Sequence, residues 1–388
     1  MGNQRGLGLR VKQKAYFHYE SILVQKHQVL KNLFLISFLL AFAKIAEAQN
    51  RHSIEIGADY GEMILHSKDV RPIGPSSPHG IGVQYSFWML KEKSWKYCHC
   101  FPRVGVSLNY HNYDNPGVLG YGFPLYGFLE PWYKLTPRLF FTLRGAAGIG
   151  WLSKPYDEIS NPLNQSYSLH FTPYIMVGTG LGFKLNKHWR TSAQLRYNHS
   201  SNGGQRQPNK GLNYPTVHLS FSFSWKDISF SEKAKIPRSE LTMKKYLQFS
   251  AFIAGKSIDA SHTSYAVPGI ELSYTQQFAR TSAWAAGAEW INNLAYRERI
   301  EREGLEVDHN EVSALAGHRF LLGNFTFSQM IGVYLYDPYD TTPDWYQRYS
   351  LTWFPWEQLG IGTALKAHGH VAEFLDVRVT YRLGVGSE

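Results

Sequence analysis

The chain has 388 residues and a formal net charge of +10, but residues 1–48 carry seven Lys and Arg against two Glu, which leaves only +5 on the other 340. That balance is too modest for a nucleic-acid-binding protein and suits a phosphate-rich surface no better than a plain solvated one. Eleven Trp, 25 Tyr, 23 Phe and 34 Gly, with no 18-residue apolar run after the leader, exclude a helical membrane protein and match the composition of an outer-membrane β-barrel.

The first segment reads as a secretory signal peptide. Arg5, Arg10, Lys12, Lys14, Lys26 and Lys31 precede the apolar run Leu33 to Ala43, and Ala46-Glu47-Ala48 supplies a small-x-small cleavage pattern before Gln49. Eight candidate strands follow: Ser53–Leu65, Gly80–Met89, Arg103–His111, Pro124–Tyr133, Leu139–Trp151, His170–Phe183, Arg190–Ser201 and Thr216–Trp225. The eighth alternates most cleanly. Val217, Leu219, Phe221, Phe223 and Trp225 interleave with Thr216, His218, Ser220, Ser222 and Ser224, apolar outward and polar inward with an aromatic end. Between strands two and three lie the only cysteines, in Cys98-His99-Cys100. A bridge between residues two apart is strained, so two thiols in a loop are expected ahead of a metal or redox site.

Residues 226–245 carry nine charged side chains and no alternation, as in a linker or a long periplasmic connection. The strand pattern then restarts with Leu247–Ile253, Gly269–Gln276, Ala283–Asn292, Glu311–Arg319, Thr326–Tyr336, Tyr346–Phe354, Leu359–Ala367 and Leu375–Leu383. The charge-dense stretch Arg297 to Asp308 reads as a solvated extracellular loop. Each half ends on a closing-type strand, whereas one 16-stranded barrel needs a single such strand. The fold expected is therefore all-β and antiparallel, with two tandem 8-stranded barrels at 49–225 and 246–388, one 16-stranded barrel being the alternative. Eight strands enclose an interior that side chains can fill; sixteen leave a pore.

The chemistry gathers at the end of strand seven. Ala193, Leu195 and Tyr197 share one face with His199 and Ser201, the face a membrane barrel turns toward lipid. Two residues apart on a strand, the imidazole and the hydroxyl stand side by side. A serine needs a base to become a nucleophile, and an imidazole serves at neutral pH. The oxyanion formed at an ester carbonyl needs donors already in place; Asn202 and the Gly203-Gly204 backbone follow the serine directly. A third group should orient the imidazole, and Asn213 has the parity to approach His199 from strand eight. On spacing alone the motif is equally ordinary turn chemistry.

His199-x-Ser201-Asn202-Gly203, then Pro208-Asn209-x-Gly211-Leu212-Asn213, then an alternating strand with an aromatic end, resembles the PagL-type lipid A 3-O-deacylases and their acyloxyacyl-hydrolase relatives. The resemblance is specific over residues 190–225 and looser back to residue 53. It implies an 8-stranded outer-membrane barrel that removes the ester-linked 3-O-acyl chain of lipid A with a Ser/His/acid triad on its lipid-facing surface. It places the base on His199, the nucleophile on Ser201, the oxyanion donors on Asn202 and Gly204, and the acidic member on Asn213, where this chain departs from the pattern. It calls for no cofactor or metal. Lipid A, or lipopolysaccharide, would be the partner, with Arg206 and Lys210 near its phosphates. A non-catalytic barrel that conducts, supports or binds lipid A is the alternative. In the second half, Lys366-Ala367-His368-Gly369-His370 has the look of a degenerate counterpart. A cluster lining the lumen is expected there in preference to a His-x-His metal pair.

Overall fold

A computed structural model describes residues 51–388 except 231–236, 238–239, 241, 260–262, 340–342, 370 and 388. The expected signal peptide and cleavage site lie outside the described residues. Two separate closed barrels stand in tandem, each of eight antiparallel strands. The single 16-stranded alternative is thereby set aside.

The first barrel comprises β1 (His52–Gly61), β2 (His79–Trp88), β3 (Phe101–Asn115), β4 (Gly120–Lys134), β5 (Leu139–Leu152), β6 (Phe171–Lys184), β7 (Trp189–Ser200) and β8 (Leu212–Ser224), closed by β1 against β8. Alternation along each strand sorts the side chains. Outward residues such as Ile81, Leu195 and Leu219 are more than half exposed and make an apolar belt. Inward residues are polar and buried, and they pair with one another. Arg103 bridges Glu55 and Glu130, Arg144 donates to Glu130 at 2.8 Å, and Gln194 reaches Glu130 at 2.5 Å. His218 lies 3.1 Å from Asp59. Charges held this far from water persist only when each has its counter-charge, so the lumen is packed by an ion network. Ile228 and Phe230, from the segment after β8, join Trp88, Trp95, Phe101, Trp132 and Phe140 in an aromatic cluster near the barrel end where the chain leaves β8. The expected linker thus begins as part of the first barrel's packing.

The second barrel comprises β9 (Lys244–Lys256), β10 (Tyr265–Gln277), β11 (Ser282–Asn292), β12 (Asn310–Leu322), β13 (Phe325–Tyr336), β14 (Trp345–Trp353), β15 (Leu359–His368) and β16 (Val371–Ser387), closed by β16 against β9. Its interior follows the same rule, with Arg378 on Glu271 at 2.7 Å and Arg348 on Glu289 at 3.0 Å.

Two local expectations are corrected. The first concerns α1 (Glu92–Cys98), which ends with His99 in the left-handed region at φ 50°. There the chain turns back on itself and Cys98 and Cys100 are joined in a disulfide, not left as two thiols. The second concerns the charge-dense stretch, which is not simply a solvated loop; its first seven residues belong to α2 (Leu294–Glu303). Asn293 caps that helix by accepting from Tyr296 N–H at 3.2 Å, and Gly304 ends it at φ 67°. Its charges fall at the spacing that stabilises a helix surface, Arg297 with Glu301 at 2.9 Å and Glu298 with Arg302 at 2.7 Å.

Candidate active site

The site forms where β7 runs into the 201–211 loop. Along β7 the odd residues face outward and the even ones inward, so His199 stands on the outer surface above Tyr197 and Leu195. β7 pairs with β8 in a register that sets His199 directly opposite Asn213. Cross-strand neighbours on one face stand about 5 Å apart at Cβ, and here the side chains close that gap. Asn213 Oδ1 lies 2.6 Å from His199 Nδ1, and His199 Nε2 lies 2.9 Å from Ser201 Oγ. Oδ1 also accepts from the Tyr197 hydroxyl at 3.0 Å. Ser201 is 6% exposed and Asn213 8%, so the row is sheltered although it lies on the outer face.

The second half of the motif builds the shelter. Gly211 has φ 82°, and a β-carbon there would sit 3.0 Å from His199 Cε1 and 3.5 Å from Ser201 Cβ, so only glycine passes beside the pair. Gly211 N–H donates to Ser166 O at 2.8 Å and Lys210 N–H to Gln165 O at 3.0 Å, which fastens the loop to the 153–170 connection. Asn209 Oδ1 accepts the Asn202 N–H at 2.8 Å. The Asn209 amide nitrogen has no hydrogen-bond partner among the described residues.

The Asn202 side chain is committed to the loop itself. It is fully buried, and its amide donates to Ser168 Oγ at 2.9 Å and to Arg206 O at 2.6 Å while its oxygen accepts Gly204 N–H at 3.1 Å. These bonds fix the loop and leave the side chain no free donor for an oxyanion. Lys210 forms an ion pair with Asp69 at 2.9 Å.

The loop also touches the second barrel. β9 pairs with β16 only from the Ala254–Asp376 position downward, so the far end of β16 has no strand on that side. Gly203 O accepts Leu375 N–H there at 3.0 Å, and Gly204 O accepts Ser257 N–H at 3.2 Å. Both glycines have positive φ, and a β-carbon on Gly204 would meet Glu373 O at 2.0 Å. Inside the second barrel, His368 lies 3.6 Å from Glu373 and 3.2 Å from the Tyr334 hydroxyl, as part of a polar cluster with Lys366. His370 lies outside the described residues. Among the described residues no group of three or more His, Cys, Asp or Glu could hold a metal ion.

Two contributors escape sequence reasoning. His66, 147 positions before Asn213, comes from the extension of β1 that pairs with β8 at the barrel seam: Ile64 N–H donates to Asn213 O at 2.8 Å. Asn209 was visible only as part of the motif; the signal for it was an Asn beside Pro in a loop that must satisfy its own backbone.

Two family models cover most of the described chain. Residues 79–222 match the model described as lipid A 3-O-deacylase (PagL), and residues 245–385 match the model described as acyloxyacyl hydrolase, C-terminal domain. No curated protein matches the chain. Among solved structures, the outer membrane enzyme PagL is 13% identical over 43% of this chain and 97% of its own, with a TM-score of 0.33. Neisserial surface protein A is 9% identical over 45% and 97%, also at 0.33. The Acinetobacter baumannii protein OccAB3 is 9% identical over 86% and 99%, at 0.25. The sequence models decide the assignment: the chain is an outer-membrane β-barrel that belongs to the PagL family of lipid A 3-O-deacylases and acyloxyacyl hydrolases.

Proposed function

We propose that this protein removes the ester-linked 3-O-acyl chain of lipid A, with Ser201 as nucleophile and His199 as general base and acid. The observation that carries the reading is the unbroken row from Asn213 Oδ1 through His199 to Ser201 Oγ, at 2.6 and 2.9 Å, on the face turned to hydrocarbon. Family membership supplies the substrate class.

In the reaction, Ser201 Oγ attacks the acyl carbonyl while its proton passes to His199 Nε2. The tetrahedral intermediate collapses as His199 returns that proton to the sugar 3-oxygen, which leaves as an alcohol. Water, deprotonated by the same imidazole, then hydrolyses the acyl-serine and releases a fatty acid. Asn213 holds the ring and stabilises the imidazolium as a neutral acceptor. With the Asn202 side chain committed elsewhere, the Asn209 amide nitrogen and the Gly204 N–H, once released from Asn202, are the donors we assign to the oxyanion. The acyl chain would lie along the outer side of β7. A shallow depression of about 330 Å³ lined by Phe141, Thr179, Leu181, Ala193, Leu195 and Val217 lies in that direction. Leu195 is six residues below Ser201, about 20 Å at strand rise.

Lipid A mass spectra from cells expressing Ser201→Ala or His199→Ala test the proposal. Both variants should assemble, as judged by heat-modifiable electrophoretic mobility, and both should leave the 3-O-acyl chain in place. Deacylation persisting in both would overturn it.

A further inference from the structure

An amide in the third position of the row poses a problem that a carboxylate does not. A carboxylate presents an acceptor at either oxygen, but an amide turned by 180° presents N–H₂ to His199 Nδ1. Nδ1 would then have to accept, the proton would move to Nε2, and the imidazole could no longer take the Ser201 proton. Tyr197 cannot prevent this, because a hydroxyl donates to an oxygen and accepts from a nitrogen equally well.

We propose that His66 is the positioning residue that fixes the Asn213 amide, and through it the tautomer of His199. This rests on the Ser201/His199 reading above. His66 Nε2 lies 2.9 Å from Lys210 O, and His66 Nδ1 lies 3.2 Å from Asn213 Nδ2. A main-chain carbonyl can only accept, so Nε2 carries the proton of the neutral ring and Nδ1 is bare. A bare Nδ1 needs a donor, so the amide turns its nitrogen to His66 and its oxygen to His199. That oxygen requires a proton on His199 Nδ1, which leaves Nε2 free to act on Ser201. Nδ1 of His66 also lies 3.1 Å from Ile64 O. The neutral ring has one proton to serve these two carbonyls, and the shorter contact, at Lys210 O, takes it. The chain of donors and acceptors therefore starts at a carbonyl of the 201–211 loop, crosses the barrel seam to His66, and returns to the reacting serine.

A double-mutant comparison tests it on purified full-length protein in detergent, with release of fatty acid from lipid A as the assay. His66→Ala should lower kcat about five- to tenfold, the factor that about 1 kcal/mol of lost hydrogen-bond bias produces, with KM nearly unchanged. Asn213→Asp, which presents an oxygen whichever way it turns, should be active, and adding His66→Ala to it should cost less than about twofold. An equal loss in both backgrounds would mean that His66 acts only as packing and would overturn the proposal. So would wild-type kcat in His66→Ala. Mobility on heating reports whether each variant has assembled, and the Asn213→Asp pair remains informative if His66→Ala alone assembles poorly. If Ser201→Ala retained activity in the same assay, the catalytic reading would fall instead, a result distinct from any effect at His66.

Discussion

The edge contact between the barrels can be tested at one atom. A β-carbon on Gly204 would lie 2.0 Å from Glu373 O, where 3.0 Å is the closest approach real β-carbons make, so Gly204→Ala must drive the loop back by about 1 Å. Ser201 is three residues away along that loop and its hydroxyl is held to His199 at 2.9 Å. A displacement of about 1 Å at a reacting group costs on the order of 100-fold in rate. Alanine at φ 79° adds about 1–2 kcal/mol of backbone strain wherever it occurs, and that part must be separated from the clash. Gly304→Ala supplies the control, since Gly304 has φ 67° and open space where a β-carbon would go. Measured as release of fatty acid from lipid A, with heat-modifiable mobility to confirm assembly, Gly204→Ala should lose ten- to 100-fold (on the order given above) and Gly304→Ala should match the parent. An assembled Gly204→Ala protein within about twofold of the parent would refute the reasoning, because it would mean that the register of the loop on β16 does not set the position of Ser201.

Arg103→Ala removes the guanidinium shared by Glu55 and Glu130, both essentially unexposed, and leaves Arg144 to answer for two carboxylates. Breaking such a buried pair costs about 3–5 kcal/mol, so the urea midpoint for loss of heat-modifiable mobility should fall sharply; an unchanged midpoint would contradict an ion-packed lumen. Val177→Phe crowds the outer face opposite Tyr197, four residues from Ser201, so it should raise KM or shorten the preferred acyl chain with kcat on short esters unchanged. Equal kinetics on every chain length would move the acyl path elsewhere. The hydrogen bond and charge of Lys210 hold the Asp69 carboxyl below its usual range. A carboxyl lowered on folding contributes above its unfolded value of about 3.9 and loses that contribution only as the pH falls through the folded one. Asp69→Asn should therefore scale a pH 5 to 8 activity profile by one constant factor, under about twofold, without adding a step.

Much of this was legible because strand period is a local property. Alternation from Ser192 to Ser201 is enough to put His199 and Ser201 outward, and two closing-type strands are enough to imply two barrels. α2 was missed for a matching reason: an Arg- and Glu-rich stretch reads as solvated loop unless its Asn293 and Gly304 ends and its four-residue charge spacing are weighed together. The Cys98–Cys100 bond was missed because spacing argues against it, and only the left-handed turn at His99 folds the two side chains together. Adjacency to the serine does not show how the Asn202 side chain is used: a buried amide in a loop must first satisfy its own backbone, and this one does.

Taken by itself, the order of residues determined which side chains face lipid, how many barrels close, and which serine and histidine stand together, since each depends on neighbours within a strand or across one hairpin. The tertiary structure alone decided which groups were already spoken for. Barrel closure brings His66 to Asn213 across 147 positions, and the unpaired end of β16 receives the loop that carries Ser201. Hydrogen-bond valence is spent across the whole fold, so whether a donor is free cannot be read from the segment that holds it.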